Sequence, residues 1–447
     1  MKIIIQLTKY LFLFMILLYA LKDYTYLARK NEESKSRILR SQIRELFYIP
    51  ILGFVILFIV QRDVYILILL AGVIVYFAVT LTGYRVLYPK CSLLLINNML
   101  MLLCIGLIMI ARLSLEQALK QYMIAAAATV IAFIIPVIIR KLKILSRLTW
   151  LYAILGIGAL MCVLVLARMS GGAKLSITVG GISIQFSELV KITLVFFLAA
   201  KLSRDISFRS VVTATVVAAI HVGILVLSTD LGTALVFFIT YVVMVYVATR
   251  RPVYPLAGLA GGSAAAVAAY HLFGHVRQRV IAWKDPFAVY DTSGYQIAQG
   301  LFAIGAGGWF GTGLTLGKPE TIPVATKDFI FAAICEEFGG IFAMCLLLIC
   351  MSMYLLIVNI SMLIRNRFYR LIAIGLGTEY AFQVFLTVGG VTKLIPMTGI
   401  TLPLVSYGGS SVMSTIIMLA IIEGLYLMRE DEAEEREAAQ QSENLVR

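Results

Sequence analysis

Apolar runs recur along this chain and repeatedly reach the roughly 20 residues that an α-helix needs to cross a bilayer core. They predict thirteen spans, at about 3–21, 47–61, 64–83, 92–111, 122–139, 148–167, 187–202, 210–228, 231–249, 254–273, 329–358, 371–390 and 410–428. The chain therefore reads as an all-α polytopic membrane protein. One hydrophilic stretch, 274–328, is far longer than the other connections. Asp328 stands where that stretch re-enters the apolar chain, in Lys327-Asp328-Phe329-Ile330-Phe331-Ala332. An ionisable residue at such a border costs stability unless something uses it.

Composition agrees, with 61% hydrophobic and only 14% charged residues. The first apolar stretch has no small-residue cleavage site and is followed by a basic segment, so it reads as a retained helix and not a secretory signal. Cys91, Cys104, Cys162, Cys335, Cys345 and Cys350 lie in or beside predicted spans without metal-ligand spacing, as small core residues would.

The formal charge of +14 is an orientation signal. Alternate connections collect the cations: the 22–46 segment, Arg85 and Lys90, Arg140 to Arg147, Lys201 to Arg209, Arg250 and Arg251, Arg365 to Arg370, and the C-terminal tail. By the positive-inside rule that side is cytoplasmic, and the N-terminus with the 168–186, 274–328 and 391–408 segments faces outward. This placement argues against nucleic-acid binding. The tail after 428 carries the acidic run 430–435 and is expected to be solvated and disordered.

No inter-span segment is long enough for a soluble catalytic domain, and even 274–328 is short for a core of its own. The chain has no phosphate-cradling glycine loop, no His-Glu-x-x-His pair and no Ser-His-Asp set; His221, His271 and His275 are scattered. Four outward segments carry the unusual residues. In the first, which contains Gly171-Gly172-Ala173-Lys174 and Gly180-Gly181, Ser187 suits a helix N-cap. Glu188 and Lys191 can pair at i, i+3, either fixing a helix end or serving chemistry. The second places Asp230 to cap the ninth span. The third, 274–328, carries Arg277 and Arg279, whose guanidinium forks suit phosphate oxygens of a headgroup or of lipid, then Tyr295, Gln296 and glycines fit for tight turns. The fourth, 393–411, holds two prolines with Ser406, Gly408 and Gly409, and cannot be a regular helix; it must be buried in protein or line a cavity.

Six segments in order resemble the SEDS family (shape, elongation, division and sporulation), the FtsW/RodA/SpoVE group. They are Gln185-Phe186-Ser187-Glu188, Asp230-Leu231-Gly232-Thr233-Ala234, Arg277-Gln278-Arg279-Val280, Gly294-Tyr295-Gln296, Asp328 to Ala332 with Glu336-Glu337, and Pro403 to Ser410. The resemblance implies a ten-helix core over 91–428, preceded by a three-helix extension at 1–90 and followed by a cytoplasmic tail at 429–447. It further implies a peptidoglycan glycosyltransferase of the bacterial cytoplasmic membrane, polymerising lipid II at the outer face with a class B penicillin-binding protein as partner. Asp328 matches the family's essential aspartate, Glu320 its acid eight positions earlier, and Glu188 with Lys191 its helix-start pair.

The chemistry is consistent with the residues. An acceptor hydroxyl must lose a proton as it attacks the donor's anomeric carbon, and a carboxylate at a partly desolvated border can take it. The pyrophosphate leaving group calls for cations, with Arg277, Arg279, Lys191 and Lys327 as candidates, or for a divalent cation such as Mg or Mn. Tyr295, Gln296, Ser406, Gly408 and Gly409 complete the expected substrate site. The chain departs from the family pattern at Leu175-Ser176, Phe186, Ser228-Thr229, Pro323-Val324 and Lys327, which puts the substrate groove and partner contacts in question. The alternatives are a flippase for a lipid-linked precursor or a catalytically silent scaffold.

Overall fold

A computed structural model of the chain describes residues 2–166, 177–179 and 182–446. The helices are α1 (Lys2–Ala28), α2 (Glu32–Gln61), α3 (Val64–Leu87), α4 (Leu93–Leu113), α5 (Leu115–Ala132), α6 (Ile135–Lys141), α7 (Thr149–Leu166), α8 (Ser187–Arg204) and α9 (Phe208–Leu227). They continue as α10 (Leu231–Thr249), α11 (Val253–Leu272), α12 (Gly274–Lys284), α13 (Tyr295–Gly307), α14 (Ile330–Phe338), α15 (Gly340–Leu363), α16 (Arg367–Val391) and α17 (Gly409–Val446). A small antiparallel hairpin, β1 (Ile177–Val179) and β2 (Ile182–Ile184), precedes α8. The segment 171–174, Gly180-Gly181 and the departure at Leu175-Ser176 lie outside the described residues.

Among the described residues 12 helices are long and apolar enough to cross a membrane. The thirteenth crossing is α8, whose Glu188, Lys191, Lys201 and Arg204 make it more polar; it is buried against α7, α10 and α16. The two membrane faces follow from contacts between connections. On one face Arg204 donates to Ser146 O (2.6 Å), Arg367 to Ala248 O (2.6 Å), and Arg140 pairs with Asp431 (2.5 Å). These are the cation-rich ends, and therefore the cytoplasmic ones.

Several expected boundaries change. The 22–46 segment is not a loop but the facing ends of α1 and α2, because Asn31 caps α2 by accepting from the Glu33 and Ser34 N–H groups. The span at 122–139 is α5 and α6 joined by a turn before Pro136. The acidic tail is helical instead of disordered. It prolongs α17, and its Asp431 and Glu434 pair with Arg140 and Lys90 on neighbouring helix ends. Cys162 is exposed on α7 and is no core residue, whereas Cys104, Cys335, Cys345 and Cys350 are buried.

The span at 329–358 is broken at Gly339 (φ 90°) into α14 and α15. A break inside a membrane-depth helix frees backbone groups that need partners. The 307–313 segment supplies them: Thr312 and Gly313 N–H donate to Glu336 O and Glu337 O (both 2.9 Å), while Gly340 and Ile341 N–H donate to Gly308 O (2.9 Å) and Trp309 O (3.2 Å). The two backbones lie so close that a Cβ on Gly307 would overlap the Cys335 carbonyl oxygen. Gly307→Ala is accordingly expected to destabilise the protein by about 1–3 kcal/mol, as overpacking does, and to lower its apparent melting temperature in detergent. An unchanged melting temperature would show that the two backbones separate freely.

The α1–α3 helices pack on α4, α5 and α15. At its outer end α1 touches the same 307–313 segment through Lys9 Nζ, which donates to Gly311 O (2.8 Å). Toward the cytoplasmic end of α1, Asp23 accepts from Gln42 (2.5 Å), Asn98 (3.0 Å) and Ser352 (2.6 Å), tying α1 to α2, α4 and α15.

Candidate active site

Asp328 rides on the 323–329 turn, and two other elements hold that turn by its backbone. Gln296 of α13 donates to Pro323 O (3.2 Å). From the 392–408 segment, Ser406 Oγ donates to Lys327 O (2.7 Å) and the Tyr407 N–H to Thr326 O (2.7 Å). That segment is braced in turn by Gln121 of α5, whose side chain donates to Ser406 O and accepts from Gly408 N–H, both at 3.0 Å. Gly409 lies against α5, where a Cβ would come within 2.6 Å of Ile124 Cδ1. Ser406 and Gly408 therefore act here as supports of the turn.

Arg279 of α12 donates to Thr398 O (3.2 Å), and its charge acts on both Asp328 and Asp230. Asp328 Oδ2 also lies 3.8 Å from where a Gly399 Cβ would stand, at a backbone position (φ 77°) that favours glycine. Burial pushes the Asp328 carboxyl above the usual aspartate range, with Lys327 and Arg279 acting in the opposite direction. Burial likewise raises Asp230, and its hydrogen bonds from Thr233 and Ser187 oppose the rise. Asp230 caps α10 as expected, accepting from Thr233 N–H (3.2 Å). Ser187 does not cap α8; its hydroxyl is turned across to Asp230 (3.2 Å).

Glu188 and Lys191 form a buried ion pair of 2.6 Å. Lys191 also donates to Gln383 Oε1 (2.9 Å), Glu188 accepts from Ser414 Oγ (3.0 Å), and Gln383 donates to Thr401 O (3.0 Å). The pair thus reaches the Asp328 side through Gln383 of α16 and the 392–408 segment. Buried Glu379 shares its surroundings and makes no side-chain hydrogen bond among the described residues.

Three expected site residues stand apart from this group. Arg277 is exposed, donates to His271 O (3.2 Å) and stacks over Tyr270. Residues i and i+2 of α12 point to different sides, so Arg277 turns away while Arg279 turns in. Glu320 is exposed and pairs with Arg112 (3.3 Å), which also holds Glu337 (3.0 Å). Tyr295 is at the surface against Tyr290. Gln121, Gln383 and Arg112 escaped the sequence reading, although a polar residue within or ending an apolar run was a visible signal. Among the described residues no three His, Cys, Asp or Glu side chains gather as metal ligands would.

Residues 92–430 match the family described as cell cycle protein, FtsW/RodA/SpoVE. The chain belongs to this family. Within it, the chain is 41% identical over 270 residues to the peptidoglycan glycosyltransferase RodA of Mycobacterium tuberculosis, covering 56% of this chain and 57% of that protein. The alignment thus spans little more than half of that relative's length. It is 36% identical over 347 residues to the RodA of Mycobacterium leprae, covering 71% and 74%. It is also 34% identical over 278 residues to the probable peptidoglycan glycosyltransferase FtsW of Aliivibrio salmonicida, covering 59% and 68%. Among solved structures, a chain from a peptidoglycan synthase complex shares the fold at a TM-score of 0.65, 24% identity, and coverage of 76% of this chain and 98% of that one. The rod shape determining protein RodA of Thermus thermophilus does so at 0.58, 23%, 75% and 96%. As an FtsW/RodA/SpoVE protein with this many apolar helices, the chain is a multi-pass protein of the bacterial cytoplasmic membrane.

Proposed function

We propose that the chain is a peptidoglycan glycosyltransferase that polymerises lipid II at the outer face of the membrane, with Asp328 as general base and Arg279 as the cation for the leaving pyrophosphate. The acceptor hydroxyl oxygen bonds to the donor's anomeric carbon, the bond from that carbon to the pyrophosphate oxygen breaks, and the hydroxyl proton passes to Asp328. The guanidinium of Arg279 suits the charge that grows on the departing phosphate. One observation carries the reading: a half-buried carboxylate at the outer membrane border, on a turn held from α13 and the 392–408 segment, faces a cation that is itself half-buried. Lys191, paired and buried, supports the site from below, and Arg277 is left to bind at the rim.

The names of the curated relatives, peptidoglycan glycosyltransferases RodA and FtsW, support the same activity. The likeness to a chain of a peptidoglycan synthase complex supports a partnership, for which a class B penicillin-binding transpeptidase is the candidate. The test is lipid II polymerisation by the purified protein with and without that partner, read as glycan strands on a gel. No strands under either condition, with lipid II still bound, would favour the silent scaffold. Because Asp328 must be ionised to accept a proton and its carboxyl is raised, the rate is expected to climb with pH through a midpoint above the ordinary aspartate value of 3.8. A rate that is flat from that value upward would remove Asp328 as the base.

A further inference from the structure

The cytoplasmic ends of α10, α15 and α16 enclose a cleft of about 820 Å³, far from the outer-face site. Arg250, Arg365, Arg367 and Arg370 line it, with no acidic residue in its wall. Two of the four are tied to backbone: Arg367 donates to Ala248 O (2.6 Å) and Arg370 to Ile364 O (3.0 Å). Among the described residues Arg250 and Arg365 make no side-chain hydrogen bond or ion pair. Nearby Asp205 spends its carboxylate on Ser207.

This is an unfavourable way to collect charge unless an anion joins it. Arg367 and Arg370 stand in the opening residues of α16, where the helix's own positive end disfavours cations, and no acid lies in that first turn. The positive-inside rule asks for cations on this face but not for four around one cleft. Lys90 and Arg140 on the same face behave differently, paired with Glu434 and Asp431. About half of the remaining wall is apolar, through Ile206, Val247, Leu371 and Ile374, with Thr249 and Ser361 beside them, and it opens beside Met362, which is 74% exposed. A soluble anion would gain nothing from that half of the wall.

We propose that this cleft binds the phosphodiester headgroup of an anionic phospholipid from the inner leaflet, with Arg250 and Arg365 as the groups left open for its oxygens. Basic pockets between transmembrane helices on the cytoplasmic side suit such headgroups, and guanidinium forks suit their phosphate geometry. The apolar wall takes the first carbons of the acyl chains.

The test is native mass spectrometry of the purified full-length protein titrated with phosphatidylglycerol or phosphatidylcholine. Wild type is expected to retain one phosphatidylglycerol in preference to phosphatidylcholine. Arg250→Gln with Arg365→Gln should weaken that binding by about 10- to 30-fold, from the usual worth of an arginine near an anionic lipid. Ile374→Trp, which keeps all four charges and fills the cleft, should weaken it too, guarding against a variant that merely folds poorly. Lys141→Gln with Lys143→Gln, exposed on the same face, should leave it unchanged. The proposal is overturned by equal retention of the two lipids or by an arginine double variant that binds as wild type. It also fails if the lysine pair has the same effect, which would mean general surface charge. Displacement of phosphatidylglycerol by millimolar inorganic phosphate would assign the cleft to a soluble anion instead.

Discussion

Asp328→Asn is expected to lower glycan polymerisation by about two to four orders of magnitude while the protein still inserts and binds lipid II, the usual span of a general base's contribution. The substitution preserves size and removes the site for the proton. It should leave the turn in place, because Gln296, Ser406 and Tyr407 hold that turn through the carbonyls of Pro323, Lys327 and Thr326, not through the carboxylate. Arg279 keeps its bond to Thr398 O, so the headgroup side of the site is retained. Strand synthesis by the purified variant and its lipid II retention, measured together, decide the matter. Near-normal glycan strands would sink the mechanism, and loss of lipid II transport with polymerisation intact would favour the flippase.

Lys191→Met is the substitution expected to cost most in stability, about 3–5 kcal/mol, because it strands Glu188 as a buried carboxylate whose remaining polar partner is Ser414. Gln383 Oε1 would lose its lysine donor as well, which loosens the side chain's hold on Thr401 O. Converting both members, Glu188→Gln with Lys191→Met, should recover most of the loss, since the cost lies in the unpaired charge. The readouts are yield and apparent melting temperature in detergent. If Lys191→Met melts like wild type yet makes no glycan, the lysine works on substrate, and its assignment as a support is wrong.

The spans were legible in the sequence because a run of about 20 apolar residues has few other ways to satisfy its backbone. The break at Gly339 was not expected, although Glu336-Glu337 and Gly339-Gly340 interrupt the apolar run there, because its length and the apolar residues from Ile341 onward suit one continuous span. What makes the break tolerable is the 307–313 backbone, a partner remote in the chain that periodicity cannot reveal. Asp328 was legible as a charge at a border. The division of labour between Arg277 and Arg279 was hidden until their segment proved to be the helix α12, which sends the two side chains to different sides. Ser406 and Gly408 were found by their irregular surroundings, but their partner Gln121 was missed. Its bonds go to backbone groups of the 392–408 segment, and such groups carry no residue-type signature.

The double anchoring of α1 gives the first three helices a standing that their position outside the matched residues 92–430 does not suggest. Asn98 and Ser352, on α4 and α15, both spend hydrogen bonds on Asp23, and Gly311 O receives Lys9. Without α1, the bonds of Asn98 and Ser352 to Asp23 and of Gly311 O to Lys9 would be lost, leaving Asn98 and Ser352 only their bond to each other and that of Ser352 to Ile349 O. The first three helices are thus tied to the matched core by buried polar bonds as well as by apolar packing, as a subunit fused in cis would be.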